Sequence, residues 1–335
     1  MKTLNKLAIL IGTLTMATQL SAATKPLAKE DGFGAQMSLD TGVLYRESQF
    51  NTDDENERTD DLNDSGTSTT NAVLYPLARF QYTFNNQNSQ VFIGNSEDEI
   101  VSANFQYELG FIQNFESVGE FTVAVSPQLT LMNETWEDPF LEGEDRKDTK
   151  EKVISARFQL KEVFGSPFTL KYGYASSKVD DEKSGSDTTK YTDKDRDLLK
   201  RDSKFHRVEV EMFYPISETL QLRPNLKYTL SNADGDANSY DSLGAELSVL
   251  SFQGRHSYIL TIRASMKKFD EKNPIFDEKQ DSVDLGVIGI YAYEKPFGWE
   301  KSNFHMLTGF YSENSDIDFY SNKNAVLTFG FGTNF

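Results

Sequence analysis

The 335-residue chain has no cysteine, two tryptophans, three histidines and nine prolines. Without cysteine there is no disulfide framework and no thiolate nucleophile or metal ligand. Three histidines leave little material for a His-based relay or metal centre. Basic residues are also scarce: 34 Lys and Arg against 52 Asp and Glu leave a net charge of −18. That balance repels a nucleic-acid backbone, so no nucleic-acid partner is expected. Hydrophobic residues make up only 38%. Long apolar runs of the kind that cross a bilayer as helices are missing.

One short apolar run stands at the start. In MKTLNKLAILIGTLTMATQLSAA, Lys2 and Lys6 head an apolar stretch from Leu7 to Met16, followed by small residues at Ser21-Ala22-Ala23. This pattern predicts a secretory signal peptide over 1–23, with one exported domain over 24–335.

Aromatics are plentiful at 13%, and they recur in period-two alternation. In VSANFQYELGF, Val101, Ala103, Phe105, Tyr107, Leu109 and Phe111 share one face, opposite Ser102, Asn104, Gln106 and Glu108. EFTVAVSPQLTLM and TLQLRPNLKYTL repeat the pattern. Such alternation is the signature of strands with two different environments. It predicts about fourteen strands, with twelve as the fallback count. They lie near 35–46, 72–84, 89–95, 100–114, 120–133, 152–164, 167–178, 204–214, 219–231, 240–252, 256–268, 282–294, 302–312 and 323–335.

Long acidic connections such as QFNTDDENERTDDLNDSGTSTT alternate with short ones such as NNQNS, GSP and QGR. Long loops at one end and tight turns at the other predict an all-β, transmembrane, antiparallel up-and-down barrel of the outer-membrane type. Both chain ends then fall on the short-turn side. The outward aromatics nearest that side predict an interfacial girdle: Phe84, Phe111, Phe121, Phe168, Tyr214, Tyr258, Tyr293, Phe304 and Phe335. The closing KNAVLTFGFGTNF, ending on Phe335, resembles the C-terminal strand that the barrel-assembly machinery of Gram-negative bacteria reads.

VFIGNSEDEI, TWEDPF, GDANSYDS, KNPIFDEKQD and SDIDFY resemble an uncharacterised gammaproteobacterial family of porin-like outer-membrane proteins, a domain of unknown function. The resemblance runs from about residue 30 to the C-terminus. It implies a barrel and an outer-membrane location, and brings no catalytic residues.

The opposite face of the strands is predicted to line a lumen with Arg46, Arg79, Glu108, Arg157, Lys161, Lys171, Arg207, Glu209, Glu211, Arg223, Lys227, Glu246, Arg263, Lys267 and Asp284. Asp40 and Glu294 share that face. The set reads as a basic excess, concentrated in the sixth to eleventh strands. The expected function is therefore porin-like passive diffusion of small polar or anionic solutes. Side chains that merely pack a narrow barrel are the plainer alternative.

The acidic run Asp53, Asp54, Glu55, Glu57, Asp60, Asp61 and Asp64 could meet divalent cations at lipopolysaccharide, but such runs are usually only solvated. ADGDANSYDS opens like a calcium loop yet lacks its Gly and Glu. A surface adhesin or phage receptor acting through the loops is the main alternative function. A lipid-modifying enzyme would need a Ser beside a base, and His206, His256 and His305 do not converge. Trp136 fits either the barrel mouth or the outer interface. No cofactor or metal is expected. The partners are outer-membrane lipid, lipopolysaccharide, the assembly machinery and small solutes, and the chain is expected to be a monomer.

Overall fold

The computed structural model describes residues 27–95, 107–126 and 134–335. The predicted signal peptide, residues 96–106 and residues 127–133 lie outside the described part. So do portions of two expected strands, over 100–114 and 120–133.

Alternation becomes a single antiparallel sheet. Its strands are β1 (Gly32–Glu47), β2 (Ser68–Phe84), β3 (Ser89–Asn95), β4 (Tyr107–Phe115), β5 (Gly119–Ser126), β6 (Glu134–Trp136), β7 (Asp148–Lys161), β8 (Phe168–Val179), β9 (Ser203–Met212), β10 (Tyr214–Pro215), β11 (Leu220–Ala233), β12 (Tyr240–Gln253), β13 (His256–Phe269), β14 (Ser282–Glu294), β15 (Ser302–Ser315) and β16 (Asn322–Asn334). Two of these are not separate walls. β6 is a loop strand paired only to the overhang of β7. β10 continues β9 past Phe213 along the same neighbour, β11.

The remaining strands close into a fourteen-strand ring, because β1 pairs with β16 from Gln36↔Asn334 to Glu47↔Lys323. Closure gives every wall strand a neighbour on each side, which is the condition for sheet inside hydrocarbon. Several strands are longer than the ~9–11 residues needed to span a bilayer. β2 has 17 residues and β1 has 16. Their surplus rises on the long-loop side.

Cross-strand partners share a face, so the register assigns inside and outside all round the ring. Outward positions carry Leu39, Val43, Leu74, Phe80, Ile93, Leu109, Phe158, Leu170, Val210, Leu226, Leu247, Ile262, Val287, Phe310 and Phe329, each at least 37% exposed. A continuous apolar band of this size is unsupportable in water and natural in lipid. This is a transmembrane barrel.

Candidate functional site

The inner wall is built from residues one position out of phase with the apolar band. Register places all fifteen of the sequence-predicted lumenal residues on that inward phase. The same phase also holds Glu120, Glu151 and Glu313, which the sequence reading left out. With them, inward carboxylates equal inward lysines and arginines in number among the described strand residues. The expected basic excess is absent. Glu151 and Glu313 fall one residue outside the expected strands 152–164 and 302–312, and Glu120 opens the expected strand 120–133.

These charges are paired along the wall. Lys161 faces Glu120 at 4.0 Å, Lys171 faces Glu211 at 3.8 Å, and Lys227 faces Glu246 at 3.2 Å, each on adjacent strands. Lys267 lies 3.4 Å from Asp284 and 2.5 Å from Glu313. Glu209 accepts from the Asn225 amide at 3.0 Å and sits 3.8 Å from Arg207. Arg263 lays its guanidinium over the Tyr311 ring, 5.3 Å from its centroid. Arg223 stands 5.8 Å from the ring of Phe213. Arg46 is half-buried near the long-loop rim, beside Asp53 and Tyr75.

A closely enclosed group is Arg79–Glu108–Arg157. Arg157 makes a two-pronged bond to Glu108, at 2.8 Å on each prong. Arg79 approaches the same carboxylate at 3.6 Å and stacks 3.9 Å over Phe92. Glu108 is 1% exposed. Gly94 lies between Arg79 and Glu108 in the register. A Cβ there would stand 2.5 Å from the Arg79 Cα, so only glycine permits this approach.

The wall is not polar throughout. Leu44, Val73, Tyr75, Leu307 and Val326 form a buried inward cluster, joined by Leu77 and Ile290. Alternation hides this patch, because a strand apolar on both faces does not mark which one is inward. The lumen wall thus carries one apolar patch, on β14–β16, β1 and β2, set among charged residues.

Above the wall the long loops form one body. Residues 48–67, 137–147, 180–202, 234–239, 270–281 and 316–321 are knitted together in succession. Trp136 Nε1 donates to the Gln49 carbonyl at 2.8 Å. Arg146, 1% exposed, donates to Gln49 Oε1 at 3.1 Å and to the Asn56 carbonyl, with its guanidinium over the Trp136 ring. Burial pulls that guanidinium down to about 10, opposed by Asp138.

Arg201 clamps Glu182 at 2.7 Å and the Trp136 carbonyl at 2.7 Å. Asn238 donates to the Leu199 carbonyl at 2.9 Å, and Gln280 to the Ala237 carbonyl. Asn273 donates to the Tyr320 hydroxyl at 2.7 Å. Phe50, Phe140 and Phe276 close the circle around a fully buried Phe319, with ring centroids at 5.5, 5.1 and 5.5 Å. These loops rise from opposite sides of the ring, so their shared core lies over the mouth as a cap.

The cap decides several sequence-level alternatives. Trp136 belongs to the mouth, not the outer interface. The calcium-like ADGDANSYDS is a joint: Asn238 holds the neighbouring loop. The acidic run is partly structural, because Asp53 is buried and accepts from Asn51, Thr69 and Asn71. Among the described residues, no cluster of acids and histidines has metal-binding geometry.

The histidines stay apart. His206 meets the Tyr172 hydroxyl at 2.8 Å, His256 meets the Tyr291 hydroxyl at 2.9 Å, and His305 meets Asp40 at 2.7 Å. Of the predicted girdle, Phe84, Phe168, Tyr214, Tyr258, Phe304 and Phe335 are exposed, and Phe111, Phe121 and Tyr293 are half-buried. Phe115, nearer its turn than Phe111, is 48% exposed.

No curated protein matches the chain. Solved structures similar to it include the outer membrane channel DcaP of Acinetobacter baumannii, at 7% identity and TM-score 0.47 over 91% of this chain and 98% of that one. OmpT, an outer membrane protein of Vibrio cholerae, aligns at 10% identity and TM-score 0.43 over 93% and 100%. OpdQ of Pseudomonas aeruginosa aligns at 9% and TM-score 0.39 over 90% and 97%. A family model described as a protein of unknown function, DUF2860, matches residues 32–334, and the chain belongs to that family.

Proposed function

We propose that this protein is a porin-like outer-membrane channel for passive diffusion of small polar solutes. One observation carries the reading: every lumenal ion pair described above joins the same strand or strands one or two positions apart in the ring. The long charged side chains thus lie along the wall and do not bridge the lumen. Fourteen strands ~4.8 Å apart and tilted ~40° give a ring of roughly 14 Å radius, too wide for side chains lying along the wall to fill.

The equal signs on the wall argue for weak charge selectivity in place of a marked anion preference. A neutral, alternating lattice keeps water structured without attracting one ion type strongly. The cap would then set access. We take the long-loop side to face lipopolysaccharide and β16 to be the strand offered to the assembly machinery. The protein is proposed to act as a monomer.

Liposome swelling tests the reading. Vesicles carrying the folded protein should swell in isotonic solutions of small uncharged sugars and not of large polymers. Vesicles that hold folded protein and do not swell in any solute would reject it.

A further inference from the structure

Two short turns repeat each other. Glu162-Val163-Phe164-Gly165 joins β7 to β8, and Lys295-Pro296-Phe297-Gly298 joins β14 to β15. In both, the first, third and fourth residues have positive φ: 56°, 51° and 74° in one turn, 56°, 54° and 83° in the other. The hydrogen bonds correspond as well. Gly165 N–H donates to the Glu162 carbonyl and Ser166 N–H to that of Val163, while Gly298 donates to Lys295 and Trp299 to Pro296.

A phenylalanine in the left-handed region is strained. Burial within the chain does little to offset it, because Phe164 is 75% and Phe297 80% exposed. Each ring is left to one of two surroundings, water or lipid. Their position says which. Phe297 meets Trp299 at 5.5 Å and Phe304 at 5.9 Å, and Phe304 meets Phe331 at 5.3 Å. Phe304 and Phe331 are paired on the outward phase of β15 and β16. The turn thus extends the apolar outer band. Six strands separate the two turns one way round the ring and eight the other, so they stand nearly opposite.

We propose that the two Phe-Gly turns are membrane anchors that insert Phe164 and Phe297 into the lipid interface on the short-turn side. The occupant is the boundary between headgroups and acyl chains, where aromatic rings are favoured. Two opposed anchors fix the depth and tilt of the barrel. This rests on the barrel spanning a bilayer and not on its being a channel.

The two tryptophans make the test direct. Trp299 adjoins Phe297, and Trp136 is buried in the cap at the other end. The protein is refolded into phosphatidylcholine vesicles containing lipid brominated either next to the headgroup or near the chain end. The Trp299 signal is the difference between wild type and Trp299→Phe. Bromine beside the headgroup is expected to quench it at least twofold more than bromine near the chain end. In Trp299→Phe, adding Phe164→Trp should restore emission with the same depth preference, while Phe297→Ser in the wild-type background should reduce quenching of Trp299. Heat-modifiable migration on a gel confirms folding of each variant. If folded Phe164→Trp protein emits as in water and is not quenched by either lipid, the anchor proposal is overturned. A failed swelling assay with intact quenching would count against the channel alone.

Discussion

Asp40 on β1 and His305 on β15 meet at 2.7 Å across a strand to which neither belongs. The strand between them is β16, and the residue paired with both is Gly330. A Cβ on Gly330 would fall 2.1 Å from His305 Nε2 and 2.4 Å from Asp40 Oδ1. The other ring nitrogen, Nδ1, lies 2.8 Å from Asn303 Oδ1. The glycine is the gap through which the seam of the barrel is bolted.

Gly330→Ala should therefore displace a buried, charge-assisted hydrogen bond and cost about 1–3 kcal/mol. Urea unfolding in detergent micelles would show it as a lower midpoint. Gly289→Ala, whose Cβ would meet only the Thr308 methyl at 3.3 Å, should lower the midpoint by less than half as much. Equal shifts for the two would remove the special role of Gly330.

Glu108 sits between two arginines and is almost fully enclosed. Glu108→Gln keeps its shape and removes its charge, leaving two buried cations without their carboxylate. Breaking a buried pair on one side costs about 3–5 kcal/mol. Adding Arg157→Met should recover part of that loss in the same unfolding assay. A double variant less stable than the sum of both single changes would contradict the pairing.

Arg146 ties its loop to residues 48–67, and Arg201 ties its loop to the segment at Trp136. Replacing either by alanine should loosen the loops without opening the ring. Limited proteolysis should cut within 137–147 or 180–202 about tenfold faster, the effect of roughly 1.4 kcal/mol on local opening. The barrel should remain heat-modifiable. Unchanged cleavage would mean the clamps are ornamental.

A wall with balanced, paired charges should discriminate little between ions. The reversal potential in a potassium chloride gradient is expected near zero. Lys171→Glu with Lys227→Glu places unpaired carboxylates beside Glu211 and Glu246 and should shift it toward cation preference. A strongly anion-selective wild type would contradict the balanced-wall account.

Alternation alone made the ring legible, because lipid and lumen impose opposite polarity on successive residues. Leu220 to Leu230 carried that signal even without neighbours. Strand ends were less legible. Glu120, Glu151 and Glu313 sit near strand ends, where the alternation fades, and leaving them out produces the false basic excess.

The cap was not legible as a unit, because its contacts join loops far apart in sequence. A trace of it was present. TWEDPF, KNPIFDEKQD and SDIDFY each set a large aromatic in an acidic loop, where a solvated segment gains nothing from one. Phe140, Phe276, Phe319 and Trp136 are those aromatics, and all four are cap residues. The inward cluster at Leu44 and Tyr75 was hidden for a different reason: where both faces are apolar, alternation cannot say which side is which.

Planar-bilayer recording of the purified, refolded protein tests the central claim most directly. Wild-type protein should insert with discrete conductance steps, and Arg146→Ala should give larger or longer-lived steps through the same ring. Silent bilayers for both, with the protein folded and inserted, would contradict a water-filled lumen.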